Sequence, residues 1–300
     1  MERAQLPPCA PTRPRRACAL VVGLTLSAAL IAGCDSVSGI PGDPAPEAAA
    51  DPTSTTATPA PAIAPGEPAP HTTTAPPLPA DAPQVGAVTG HPEAVTAVRR
   101  WAADLRTRPI TELQDACWTI PPLTVAEMYA DPPSILAALS EPGTATGDTV
   151  TWRNSAITVA VDRESVATGY ACGRVFAAGV EPGYNQADAR HAVRRYLARA
   201  TGKPLNPDDI EATHPLTCKA SPETWDPEGT GNPTAPPLAT DSGKVGNVTS
   251  FVEQELRSEQ VSGDYLAVQV PVTTSPGGTR TRTFTVVPTA EGYCIGDVTI

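Results

Sequence analysis

The first hundred residues contain no tryptophan, tyrosine or phenylalanine; all thirteen aromatic residues of the 300-residue chain fall between Trp101 and Tyr293. Between Asp35 and Gly90 there is also no lysine or arginine, and the stretch is proline, alanine and threonine with six acids. Aromatic side chains supply much of the area buried in a core, so a stretch without them cannot offset the entropy of ordering its chain. That excludes a globular N-terminal domain and confines the fold to residues 91–300. Cations are scarce over the whole chain: 21 basic against 32 acidic residues, a net of −11. Such a balance disfavours nucleic acid or anionic headgroups as partners through bulk electrostatics. The usual catalytic signatures are missing too. There is no GxSxG elbow, HExxH, P-loop or SxxK, and only His91, His191 and His214 lie in the expected folded part. No catalytic residue, metal site or cofactor is assigned.

What is present begins with location. Arg13, Arg15 and Arg16 precede an apolar run from Leu20 that closes on Ile31-Ala32-Gly33-Cys34. The run is shorter than the roughly 20 residues of a membrane span and has the basic start, apolar middle and small-residue end of a secretory signal. Arg15-Arg16 lacks the apolar residue that follows a twin-arginine pair, since Ala17-Cys18 stands there. Ile31-Ala32-Gly33-Cys34 resembles the lipobox of bacterial lipoproteins. The resemblance implies cleavage after residue 33, a diacylglycerol on Cys34, and palmitate-type acyl chains holding the protein to the outer face of the cytoplasmic membrane. Two chains give stable attachment where one gives only marginal binding. Removing residues 1–33 takes away four arginines and Glu2, leaving 17 basic and 31 acidic residues, a net of −14.

The expected organisation is therefore a signal over 1–33, a disordered tether over 34–90, a small α+β domain over 91–180 and a second over 185–300. Fully extended, the 56 residues from Asp35 to Gly90 reach about 170 Å, and less as a coil. Thr53, Thr55, Thr56, Thr58 and Thr72-Thr73-Thr74 lie among prolines, the composition of O-glycosylated stalks. Seven cysteines reduce to Cys117, Cys172, Cys218 and Cys294 once Cys9 and Cys18 leave with the signal and Cys34 carries lipid. An exported chain with four cysteines, none in a CxxC, points to two structural disulfides in one of three pairings. The two halves look alike: each has a helix, a cysteine, and then strands ending on Gly-Tyr beside a second cysteine. That parallel favours Cys117 with Cys172 and Cys218 with Cys294.

Periodicity predicts a helix over Pro92–Thr107, a short one from Thr124 through Tyr129 begun by a capping box, and another around Ile135–Leu139. Strands are expected over Thr149–Arg153, Ala156–Asp162 and Val166–Val175. A second long helix spans Gln186–Thr201, and Asn206-Pro-Asp-Asp209 reads as a further helix start. Residues 220–243 read as a surface loop. Strands then alternate through Leu266–Val272 and Phe284–Val286 to Gly292–Gly296, and Val245–Gln260 leans towards strand. Helices packed on a curved antiparallel sheet, ending in Gly-Tyr-Cys, resemble the NTF2-like fold over about Gln186–Ile300. That resemblance implies a module able to hold a small apolar ligand or to dimerise, and fixes no chemistry.

Arg190, Arg194, Arg195 and Arg199 form a basic stripe beside His191, an anion-contact face if it is free and otherwise an ordinary solvated one. Asp208, Asp209 and Glu211 are explained as helix-start acids, and Asp226, Glu228 and Asn232 only faintly resemble a calcium loop. Two functions fit: a non-catalytic binding or interaction module of the cell envelope, holding a small apolar ligand or an envelope protein partner, or a cell-wall hydrolase or transferase. An apolar pocket favours the first, and converging carboxylates favour the second.

Overall fold

The first helix forms where helix-spaced apolar residues follow a proline. Pro92 occupies the first turn of α1 (Pro92–Thr107), where its missing N–H is no loss, and Ala94, Val98, Trp101, Ala102 and Leu105 line the buried face. The computed structural model describes residues 77–275 and 277–299. The signal, Cys34 and most of the expected tether lie outside the described residues.

α1 is followed by α2 (Ile110–Ala116), α3 (Pro122–Met128) and α4 (Pro132–Leu139). Asp131 caps α4 by accepting from the Ser134 N–H. A four-stranded antiparallel meander then runs in chain order: β1 (Thr144–Thr146), β2 (Thr149–Arg153), β3 (Ile157–Asp162) and, after α5 (Arg163–Ala167), β4 (Arg174–Ala177). Trp152 of β2 pairs across to Val159 of β3. Both are fully buried against Val98, Trp101, Ile135 and Leu139.

The second half repeats this plan with different detail. α6 (Gln186–Ala200) starts on a capping box, Asn185 with Asp188. After a long irregular stretch and the single turn α7 (Pro237–Thr240) come β5 (Val248–Phe251), β6 (Arg257–Ser262), β7 (Tyr265–Thr274), β8 (Thr279–Thr289) and β9 (Gly292–Thr299). β5 and β6 both pair with β7, at opposite ends of it, so they form one strand position interrupted by a turn at Glu253–Glu255. The sheet is thus again a meander of four positions. Ala189, Val193 and Leu197 of α6 cover Val268, Val270, Phe284, Val286 and Ile295.

The result is α+β with curled antiparallel sheets, and it has two cores. One is built from residues between Val85 and Val175, the other from residues between Ala189 and Val298, with none in common. We call the two halves lobes.

Four expectations change. Residues 85–88, assigned above to the tether, belong to the first core: Val85 and Val88 are buried, and Val88 bridges to Gly143. The strand expected over Val166–Val175 is instead α5, irregular chain and a shorter strand. The Asp162 carboxylate accepts from the Ser165 N–H at 2.6 Å and starts the helix. The short helix expected from Thr124 begins two residues earlier, at Pro122, with no side-chain cap. Asn206-Pro-Asp-Asp209 starts no helix, because Asp209 is drawn under α6. α2 and β1 had no sequence signal strong enough to be read.

The early entry into the first core depends on Gly86. Its N–H donates to the Leu139 carbonyl at 2.7 Å and its carbonyl accepts from the Trp152 indole at 3.0 Å. A Cβ there would lie 1.8 Å from the Glu141 carbonyl oxygen. Gly86→Ala is expected to cost about 3 kcal/mol, read as a fall in denaturation midpoint. Gly183→Ala, where a Cβ meets open space, stays within about 0.5 kcal/mol.

Candidate functional site: the cleft between the lobes

Two disulfides shape the region where the lobes meet. Cys117, just past α2, joins Cys172 ahead of β4, with Cα atoms 5.7 Å apart; Cys218 joins Cys294 in β9 at 4.8 Å. Both bonds lie within a lobe. They close 55 and 76 residues of chain, which on the chain-entropy account stabilises by about 4 kcal/mol each.

The first disulfide fixes the position of Trp118, the next residue. Its carbonyl accepts from His191 Nε2–H of α6 at 2.8 Å. Its ring lies under the Arg195 guanidinium, 4.8 Å from the centroid, and edge-on to His214 at 4.9 Å. One first-lobe residue is therefore held by three second-lobe residues, its carbonyl by His191 and its ring by Arg195 and His214. Burial, followed by the nearby Arg195 and Arg194 charges, outweighs the bond to Trp118 and lowers the His191 pKa to about 4. The ring is consequently neutral and able to donate at neutral pH.

The basic stripe does not face solvent. Arg190 donates to Ser258 Oγ at 2.6 Å, and Arg194 lies 2.7 Å from the Glu253 carboxylate. Arg195 donates to Asp209 at 2.7 Å; Arg199 binds Asp209, Glu211 and the His214 carbonyl. The expected anion-contact face is thus corrected: the chain after α6 folds back and supplies the anions itself. Burial acts to raise the pKa of Asp209, but the Arg195 and Arg199 hydrogen bonds outweigh it and hold the carboxyl below the ordinary range.

An ion pair also crosses the lobes. Arg174 of β4 donates to the buried Asp188 of α6 at 2.8 Å and stacks 4.6 Å over the Tyr184 ring. The Tyr184 hydroxyl donates to the Ala290 carbonyl at 3.1 Å. Between these contacts lies a cleft of about 1450 Å³ with walls from both lobes. Tyr170, Glu164 and Cys172 stand on one side; Lys219, Glu291 and Tyr293 stand on the other. Glu164 is the perturbed group. Partial burial first, then the Glu291 and Asp162 charges, raise its pKa to about 7, with Lys219 opposing.

Converging carboxylates are therefore present, although neither glutamate stood out in the sequence. Glu164 and Glu291 are 127 positions apart in the chain and share no motif; α5 and the β8–β9 turn bring both to the lining of one cleft. Among the described residues no group of three or more His, Cys, Asp or Glu is gathered as metal ligands. Asp226 instead closes its own loop, accepting from Thr230 and Gly231 backbone N–H groups. No described helix is long and apolar enough to cross a membrane. No family model, curated protein or solved structure matches the chain.

Asp209 neutralises two buried guanidiniums, so Asp209→Asn leaves both under-compensated. A loss of about 3 kcal/mol is expected, measured by denaturant unfolding. A loss below about 0.5 kcal/mol would mean that the pair is solvated.

Proposed function

We propose that the protein is an exported, lipid-anchored binding module of the bacterial cell envelope, held to the outer face of the cytoplasmic membrane through Cys34. Its ligand sits between the two lobes. The observation that carries this is the cleft of about 1450 Å³ with walls from two separate cores. Sites for drug-sized ligands span about 300–1000 Å³, so the cleft suits an extended segment of an envelope protein partner better than a small apolar ligand. Its lining includes Tyr170, Tyr184 and Tyr293 together with Glu164, Lys219 and Glu291, so it offers charged as well as apolar contacts to such a segment. The NTF2-like resemblance of the second lobe is supported by a long helix over a curled antiparallel sheet.

One observation favours a second reading. Glu164, with a pKa raised to about 7 beside Glu291, could give and take a proton at neutral pH, as a cell-wall hydrolase requires. The cleft with walls from two cores is the feature the fold builds most plainly, so binding remains the conclusion. Release of soluble fragments from purified peptidoglycan by the wild type and not by Glu291→Gln would reverse the order of the two.

Native mass spectrometry of the full chain, extracted from its own membrane, is expected to show a retained partner mass. Thr168→Trp, which places an indole on the exposed rim of the cleft, is expected to lose it. Bare protein from the wild type would contradict cleft binding. Separately, Cys34→Ala is expected to abolish palmitate labelling and move the protein to the soluble fraction; unchanged labelling would refute the anchor.

A further inference from the structure

We propose that the β7–β8 hairpin end of the second lobe carries an anion site, in which Arg280 and Arg282 take one phosphoryl group beside Thr274 and the Gly277–Gly278 turn. The site shares no lining residue with the cleft, so it stands or falls apart from partner binding.

The strand register puts both arginines on the core side of the sheet. Arg280 lies opposite Val272 and Arg282 opposite Val270; Phe284 and Val286, next in the same alternation along β8, lie opposite Val268 and Leu266. Directly opposite residues of an antiparallel pair share a face, and all six of these apolar residues are buried. β8 therefore carries two guanidiniums along the line of its own buried side chains, just past the point where the core ends.

Neither arginine is answered. Among the described residues neither has an ion pair or a side-chain hydrogen bond, and the Nε of half-buried Arg282 is out of reach of water with no partner. Every other described arginine has at least one such partner. In a chain of 32 acidic and 21 basic residues, two adjacent guanidiniums left without a carboxylate are a departure. A buried donor without an acceptor is costly, and a bound anion supplies the acceptor.

The shape selects the class of anion. A cavity of about 120 Å³ lies against the two arginines, walled by Val272, Thr274, Gly277 and Gly278. It has room for a few waters, hence for one phosphoryl group with the rest of any ester outside. Alternate residues of a strand are about 7 Å apart, so two guanidinium forks can close on a tetrahedral group from two directions. A planar carboxylate is satisfied by one fork. Gly277 keeps a further donor open, because a Cβ there would come within 2.9 Å of Thr274 Oγ1 and crowd its hydroxyl.

Free phosphate and the phosphate of a lipid headgroup share this chemistry, and the test separates them. Inorganic phosphate is titrated into the full chain in a maltoside detergent at fixed ionic strength, read by calorimetry and by the arginine Nε–H resonances. Saturable binding in the millimolar range or tighter is expected, with a displaced Arg282 Nε–H resonance. Arg280→Gln and Arg282→Gln are each expected to weaken it at least about tenfold, and Gly277→Ala by a smaller factor. Lys203→Gln, which removes an equal exposed charge past α6, leaves it unchanged. Arg280 is exposed, so its variant reports even if Arg282→Gln disturbs packing. Tighter binding of glycerophosphoglycerol, a soluble diester headgroup, assigns the site to lipid, and tighter binding of inorganic phosphate assigns it to a free anion. Arginines that only guard an unpaired stretch of strand would bind neither. That result, or phosphate binding kept in both arginine variants, would overturn the site.

Discussion

Trp118 is the side chain on which the arrangement of the folded part depends. It belongs to the first lobe, and its position is fixed by the neighbouring Cys117–Cys172 bond. Everything that grips it belongs to the second lobe: His191 takes its carbonyl, Arg195 covers its ring and His214 meets its edge. Those three are themselves fixed from behind. Asp209 holds Arg195 and Arg199, and Arg199 holds the His214 carbonyl. The contact thus joins two cores through a short chain of hydrogen bonds and stacked groups rather than through a shared apolar interior. A joint of this kind leaves a cleft beside it.

The same network explains where the amino-acid sequence could and could not be read. Helices at 92–107 and 186–200 and strands at 149–153 and 157–162 follow from local periodicity, because each buries one face against its own lobe. Asn206-Pro-Asp-Asp209 has every local sign of a helix start. The buried guanidiniums of α6 claim Asp209 instead, and a tertiary ion pair outweighs a cap. The arginine stripe looked solvent-facing for the complementary reason: its hydrogen-bonding and ionic partners lie 10 to 68 positions away, in a returning loop and on β6 and the turn before it. Asp162 shows the reverse case, a side chain whose local bond to Ser165 N–H interrupts a strand pattern. The carboxylates of the cleft were illegible for lack of any motif. Distance in sequence hid them, whereas the cysteines could be paired because each half repeats the order helix, cysteine, strands, cysteine.

The amino-terminal region gives the cleft its setting. An acidic chain has no electrostatic reason to remain at a membrane, so a lipid on Cys34 is the attachment that we propose. The first core takes in residues earlier than composition alone indicates, at Val85 and Val88. Two lobes joined through Trp118 and through the Arg174–Asp188 pair, with a cleft larger than a small molecule fills between them, suit the capture of an extended partner segment.

The central claim is that two independently cored lobes are held together through Trp118, and hydrogen–deuterium exchange on Trp118→Ala tests it most directly. Faster exchange is predicted in residues 186–195 and 206–216, with protection kept at the core amides of Val98–Leu105 and Leu266–Val270. Loss of protection throughout both cores, or no change anywhere, would contradict it.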